Sequence, residues 1–454
     1  MKKWFIIFIC SFSFSQENIT LQKAIEYTLK NSHEIAIAKN DNQIINNNTS
    51  LGAAGMLPNI SVSSGYDGSI ANSAFEFNPI LSQSFSDSNC QCPENKPSEI
   101  VESENPVQEA NNALSSRFSS SLSFSYTLSN VFSGIYTLKK FKYLDESSKE
   151  NVRYQIENKI IDVVVKYYEY LNLKKINSVL QETYNISQDR YNRLLERYEF
   201  GSISNLELLN AEADLNTDLI NLNNSSLNLK ISKNNLHVLM GISDTISLVI
   251  EDQIVFNNNI NLEDLKIKTA LNNSSILMAQ LNYNIARQDL KISRSNLSPK
   301  IDLITSFSFS DIGSQTGFIS KQNDQSFFAG VNIQVPIFSG NLRRTSIKNS
   351  KINLNSKQHQ LEVIQDNIYV SLLNTYESYM DGLNNLDIQE KSLNTFESNF
   401  KKSEELYLLG QLSSVDFRES QVNLMNFKMI YSSNLFNTKI QEFILYQLSG
   451  LLNY

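Results

Sequence analysis

The chain has 454 residues, 41% of them hydrophobic, yet only 14 Gly and 7 Pro. So few breakers in so long a chain favour extended, uninterrupted elements over a string of compact domains. The formal net charge is −8, and −10 once Lys2 and Lys3 are set aside, which excludes the overall basic footprint of a nucleic-acid binder or of a protein held on an anionic membrane surface.

Taken in chain order, residues 1–15 read as a secretory signal: Lys2 and Lys3, an apolar run to Phe14, then Ser13 and Ser15 before Gln16. Cys10 follows Ile9, where a lipid-anchor motif needs a small side chain, so lipidation is not expected. Nowhere else is there an apolar run of about 18 residues, the length of a membrane helix. An exported chain of this kind would cross a membrane with β-strands.

The spacing predicts a helix over 21–56, ending at Leu57-Pro58, and a strand over 60–67 in which large apolar and small polar residues alternate. A polar stretch over 71–116 separates it from a second alternating run, 122–128, so the two strands make a hairpin with a long loop. After Phe132-Ser133-Gly134 the pattern turns helical over 135–200, with apolar side chains at Val152, Ile156, Ile160, Val163, Tyr167 and Tyr170 in steps of three and four. A turn at Gly201, a helix over 205–240 and a β-rich connector over 246–256 follow.

The second half repeats this order. Leu271-Asn272-Asn273-Ser274 echoes Leu29-Lys30-Asn31-Ser32, Ser298-Pro299 echoes Leu57-Pro58, and Phe338-Ser339-Gly340 echoes Phe132-Ser133-Gly134. Strands are expected over 301–309 and 327–337, and a second long helix over 342–409 broken only by Gly382. The chain thus divides into a first repeat over 16–240, a connector over 241–260 and a second repeat over 261–454. The offset between the halves drops from 241 at the prolines to 206 at the Phe-Ser-Gly motifs, which puts the excess in the first hairpin loop.

Each repeat carries the pattern Tyr-x-x-Gly-x-x-Ser-x-x-acid: Tyr198, Gly201, Ser204 and Glu207, then Tyr407, Gly410, Ser413 and Asp416. Glycine takes the positive φ just past a helix end at no cost, and a serine three residues before an acid forms a capping box for the next helix. Both stretches therefore read as sharp turns between helices. At about 1.5 Å per residue, a long helix of roughly 100 Å matches the two shorter helices of its repeat laid end to end, with the strands at one end and the glycine turn at the other. Four strands, each near the ~9–11 residues that span a bilayer, cannot close alone, because the smallest membrane barrels have about 8 strands and open edges are not tolerated in lipid. Several copies must pool strands.

Catalysis finds no constellation. His33, His237 and His359 are far apart, and neither a nucleophile with a paired base nor a phosphate-binding glycine loop is present. Cys90-Gln91-Cys92 offers too few ligands for structural zinc and would make a strained disulfide, so it reads as loop decoration. No enzyme activity, no cofactor, no metal and no nucleic-acid partner is expected.

In this order, twice over, the Leu-Pro or Ser-Pro strand entries, the Phe-Ser-Gly helix entries and the Tyr-x-x-Gly turns resemble the TolC-like outer-membrane efflux protein family. The resemblance implies a mixed, mainly α fold: long antiparallel coiled-coil-like helices forming an α-barrel, with four transmembrane β-strands per protomer. It implies a homotrimer whose 12-stranded β-barrel sits in outer-membrane lipid and whose helical barrel extends into the periplasm. The function implied is a passive exit duct for efflux or type I secretion, served by a periplasmic adaptor (membrane fusion) protein and an inner-membrane transporter. By position, the adaptor-docking tips fall on Gly201, Ser202, Ile203 and Ser204 with Gly410, Gln411, Leu412 and Ser413. The pore constriction falls on Asp416 and Glu419, one turn apart on one helix face, with Glu207 as the first-half counterpart and Tyr407 as a gate tyrosine bonding across to it. Leu412 stands where well-known members carry an arginine that locks the closed tip. Capping alone would account for Glu207 and Asp416, and hairpin packing would account for Tyr198 and Tyr407; Glu419 has no capping role. The rival from another class is a periplasmic coiled-coil adaptor or scaffold without a pore, which would not need bilayer-length strands, and a stand-alone porin would leave the helices without purpose.

Overall fold

A computed structural model describes residues 19–76, 107–242, 254–315 and 320–452. The expected signal segment, Cys90 and Cys92, and positions 243–253 of the expected connector lie outside the described residues. Residues 254–256, which the sequence reading placed in a β-rich segment, are not strand. The chain divides into a sheet unit, Ser50–Leu138 with Lys291–Ser346, and a helical unit made of the remainder.

In the sheet unit, β1 (Asn59–Glu76), β2 (Val107–Thr127), β3 (Lys300–Ser314) and β4 (Lys321–Gln334) form one antiparallel sheet in the order β1-β2-β3-β4. The strands, at 18, 21, 15 and 14 residues, are longer than the alternating runs that announce them. Ladder pairing carries the first hairpin through Ile70↔Leu114 and, past a bulge at Ala71/Ser73, to Glu76↔Val107, so part of the expected loop over 71–116 is strand. Most of those residues are polar or small, and Phe75, Val107 and Leu114 are too scattered among them to make an alternating run. At the other end β4 stops at Gln334 instead of 337, because Pro336 has no N–H to give a ladder.

The register sorts most of the side chains by face. Ile60↔Phe124, Val62↔Leu122 and Tyr66↔Phe118 share a face with Leu303, Phe307, Phe309, Tyr126, Phe327 and Val331. On the opposite face the pairs Ser63↔Ser121, Ser69↔Ser115 and Ser308↔Ser326 join hydroxyl to hydroxyl at 2.8, 2.7 and 2.6 Å. One face is mostly apolar and the other mostly hydroxyl, although Ile304, Ile312 and Phe328 also fall on the second. Val62, Tyr66 and Phe327 are each more than 70% exposed in a single copy, an apolar patch that a soluble monomer would not leave open.

The helices are α1 (Leu21–Asn31), α2 (His33–Asn47), α3 (Ser129–Glu199), α4 (Asn205–Met240), α5 (Leu262–Asn272), α6 (Ser274–Ser295), α7 (Leu342–Leu408) and α8 (Ser414–Leu448). The single helix expected over 21–56 is therefore two, and it ends at Asn47. The break lies in the stretch that echoes between the halves. Ser32 caps α2 through a bond from the Ile35 N–H, and Asn31 donates to the Met240 carbonyl at the end of α4. Asn273 does both jobs in the second half, accepting from Ser275 and Ile276 N–H and donating to the Leu448 carbonyl at the end of α8. Each repeat thus ties the C-terminus of its last helix to the break in its first, satisfying carbonyls that would otherwise lack partners.

The Phe-Ser-Gly echo resolves into two conformations. Phe132-Ser133-Gly134 lies inside α3, which starts at Ser129, whereas Phe338-Ser339-Gly340 precedes α7 with Gly340 and Asn341 both at positive φ. Gly382, expected to break α7, sits within a continuous helix. A Cβ there would collide with the Thr438 hydroxyl and come within 3.0 Å of its Cγ2, so the glycine marks close approach of α7 and α8. Gly382→Ala should cost a net ~1–2 kcal/mol, overpacking outweighing the gain in helix propensity, and Thr438→Ala should restore most of it; denaturant midpoints of the three variants decide.

Cores form where the periodic apolar faces meet. Ile160, Val163, Val164, Tyr167 and Leu171 of α3 bury against Ile19, Ala24, Leu236 and Met240, while Leu372 and Tyr379 of α7 bury against Leu265 and Leu445.

Candidate functional site

The two glycine turns close alike. At the first, Gly201 takes φ +69°, its N–H bonds the Tyr198 carbonyl at 2.8 Å, and the Ser202 N–H bonds the Arg197 carbonyl at 2.8 Å. At the second, Gly410 takes φ +73°, with Gly410 N–H on Tyr407 and Gln411 N–H on Leu406. Nothing lies within 4 Å of a Cβ at either glycine, so backbone conformation and not space demands them. Ser204 Oγ then accepts the Glu207 N–H at 3.3 Å and Ser413 Oγ accepts the Asp416 N–H at 3.1 Å, starting α4 and α8. In the second turn the Asp416 carboxylate takes a bond from the Ser413 hydroxyl at 2.7 Å, in place of the backbone N–H that a full capping box would use.

Asp416 and Glu419 are both exposed on one face of the first turns of α8, and Glu207 is half-buried at the start of α4. Tyr407 is buried: its ring lies flat on Phe417 at 4.6 Å, and Phe400 stacks on Phe417 in turn at 5.6 Å. Among the described residues no hydrogen bond joins Tyr407 to Glu207 within one copy. Around the turns, Phe200, Leu206, Leu409 and Val415 are each at least two-thirds exposed, while Leu194, Leu208 and Ala211 pack beneath the first turn with Ile203.

The turns are not level with one another. Antiparallel contacts pair Arg190 with Ser414, Ser187 with Arg418, Thr183 with Gln421, Asn172 with Ser432 and Asn158 with Gln447, one fixed register along α3 and α8. Past Arg190, α3 runs on to Glu199 before turning, whereas α8 begins at Ser414. The Gly201 turn therefore projects beyond the Gly410 turn by about nine residues, roughly 13 Å along the helix axis.

No local motif announces what holds this register. Arg418 of α8 grips Asp218 of α4 with two bonds, 2.6 and 2.8 Å, and also reaches Ser187 and Gln421, both at 3.1 Å. Ser187 donates to Asp218 at 2.6 Å, and Arg190 pairs with Asp214. Arg190 and Asp218 are almost wholly buried. A bidentate arginine–carboxylate pair with its remaining groups bonded fixes direction as well as distance. The signal available in the sequence was Asp214 and Asp218, four apart on one face of α4, but nothing local names Arg418 as their partner.

No group of three or more metal-ligating side chains gathers among the described residues, and no described helix is long and apolar enough to cross a membrane. What the chain offers instead is a sheet with one apolar and one hydroxyl face, and a pair of helical hairpins ending in glycine turns that carry exposed carboxylates. Such parts define a channel protein. Its fold is that of solved outer-membrane channels: the Campylobacter jejuni CmeC channel superposes with a TM-score of 0.77 at 16% identity, over 95% of this chain and 85% of that one. The open state of the Neisseria gonorrhoeae MtrE channel gives 0.72 at 14% identity, over 95% and 89%. Escherichia coli TolC is 21% identical over 365 residues, 77% of this chain and 72% of that protein. The outer membrane efflux protein family matches residues 24–242 and 267–451, and the chain belongs to that family.

Proposed function

We infer that three copies of this chain form a passive exit duct through the outer membrane, the last part of a tripartite efflux or type I secretion assembly. The observation that carries the reading is the sheet. Its apolar face suits lipid and its hydroxyl face a wet lumen, and the outer edges of β1 and β4 have no strand partner among the described residues. Open edges are untenable in lipid and four strands are too few to close, so three copies pooling twelve strands satisfy both demands. Family and fold are those of channels, and no chemistry is performed.

In the helical unit, the Gly201–Ser204 and Gly410–Ser413 turns meet a periplasmic adaptor, the exposed Phe200, Leu206, Leu409 and Val415 giving it apolar purchase. An inner-membrane transporter supplies the drive. Asp416 and Glu419 line the constriction, six carboxylates around one axis, with Glu207 of a neighbouring copy within the province of Tyr407. With Leu412 in place of an arginine, that position supplies no ionic lock; within each copy the hairpins are held by Arg418 and Asp218. A carboxylate ring favours cations. Planar-bilayer recordings should show a cation preference that falls toward unity in Asp416→Ala with Glu419→Ala, and unchanged selectivity would remove both from the pore.

A further inference from the structure

The chain is acidic overall, but its charges are not evenly spread. Asn59↔Ser125, Thr127↔Asp302 and Lys300↔Gln334 place the start of β1, the end of β2, the start of β3 and the end of β4 at one end of the sheet. The four segments that flank this end, 50–58, 128–138, 291–300 and 335–346, contain no Asp or Glu. They contain Lys291, Arg294, Lys300, Arg343 and Arg344. Lys300 is matched by Asp302 at 3.2 Å. Arg343 donates to the Asn296 carbonyl at 2.7 Å, keeping its charge, and Lys291 lies over the Tyr136 ring at 5.6 Å. Arg294 and Arg344 are exposed and have no acidic partner among the described residues.

Interleaved with these cations are apolar side chains that nothing covers in one copy: Ile337 is 96% exposed, Phe338 81% and Leu342 74%, with Phe132 and Leu57 also open. They lie in the segments that adjoin the strand ends. A stretch in which exposed apolar side chains alternate with cations in excess of acids matches the boundary between acyl chains and anionic headgroups.

Resting on the duct reading, we propose that this end of the sheet binds anionic phospholipid headgroups, phosphatidylglycerol in kind, in the periplasmic leaflet of the outer membrane, through Arg294 and Arg344. The strand end that leads into the helices faces that leaflet, and a guanidinium is suited to a phosphodiester by its two parallel donors. The net charge of −8 conceals this rim because the acids lie elsewhere in the chain.

The test uses the full-length protein in bilayer discs of phosphatidylethanolamine with phosphatidylglycerol, reading by native mass spectrometry which lipids remain bound. Wild-type protein should retain phosphatidylglycerol preferentially; Arg294→Gln with Arg344→Gln should lower that preference by about fivefold for each guanidinium lost, and Arg117→Gln, on the hydroxyl face of β2, should leave it unchanged. Equal retention by wild type and double variant overturns the proposal. So does dissociation of the double variant into single copies with its lipid preference intact, which would assign the arginines to a second copy of the chain. Conductance in the same lipids separates the two readings: conducting protein without lipid preference overturns this proposal alone, and protein that neither inserts nor conducts overturns the duct as well.

Discussion

Arg418→Ala is expected to destabilise the helical unit by about 3–5 kcal/mol, the cost of leaving a buried carboxylate without its counter-ion. Asp218 is 2% exposed and would keep only the Ser187 hydroxyl as a partner. Asp218→Ala should cost a similar amount, and the double variant clearly less than the sum, because neither charge is then stranded. Glu419→Ala, one residue along the same helix but exposed, should stay within about 0.5 kcal/mol. Denaturant unfolding of the four variants in detergent measures all of this. Additive losses, or a loss under about 1 kcal/mol for Arg418→Ala, would mean that the register of α3 and α8 is held by packing instead.

At the glycine turns the larger effect falls on function. Gly201→Trp and Gly410→Trp should bring export to background while leaving assembled protein in the membrane, since within one copy a Cβ at either position has nothing within 4 Å. Alanine at the same positions pays the same penalty for positive φ, about 1–2 kcal/mol, without the bulk. Gly201→Ala and Gly410→Ala should therefore export nearly normally. Transport assays in cells lacking their own duct compare the pairs, with membrane levels of each variant measured alongside. Normal export by the tryptophan variants would show that no partner meets these turns.

Much of this architecture was legible because it rests on local rules repeated twice. The helix Asn205–Met240, the two positive-φ glycines with their serine caps, and the alternating cores of all four strands follow from periodicity and cap chemistry. What was not legible depends on residues far apart in sequence. The helix breaks at Ser32 and Asn273 exist because Asn31 and Asn273 reach the ends of α4 and α8, and no local signal announces a carbonyl some 200 positions away. The strands outrun their alternating cores because a ladder needs only backbone partners. Gly382 looked like a breaker and is a packing contact, a distinction that only the position of Thr438 makes. At the site, Asp416 and Glu419 are picked out by the family resemblance alone, while Arg418 between them turns inward to a carboxylate 200 residues earlier. The stagger of the two turns followed from that inward contact and had no trace in motifs of identical spacing.

Four strands of one copy cannot close, and the chain becomes a pore by pooling strands with other copies. Native mass spectrometry of the protein released from detergent, paired with single-channel recording of the same preparation, tests it most directly. Three copies per particle with discrete, steady conductance is the predicted result. A monomer or dimer, or a trimer that never conducts, would contradict it.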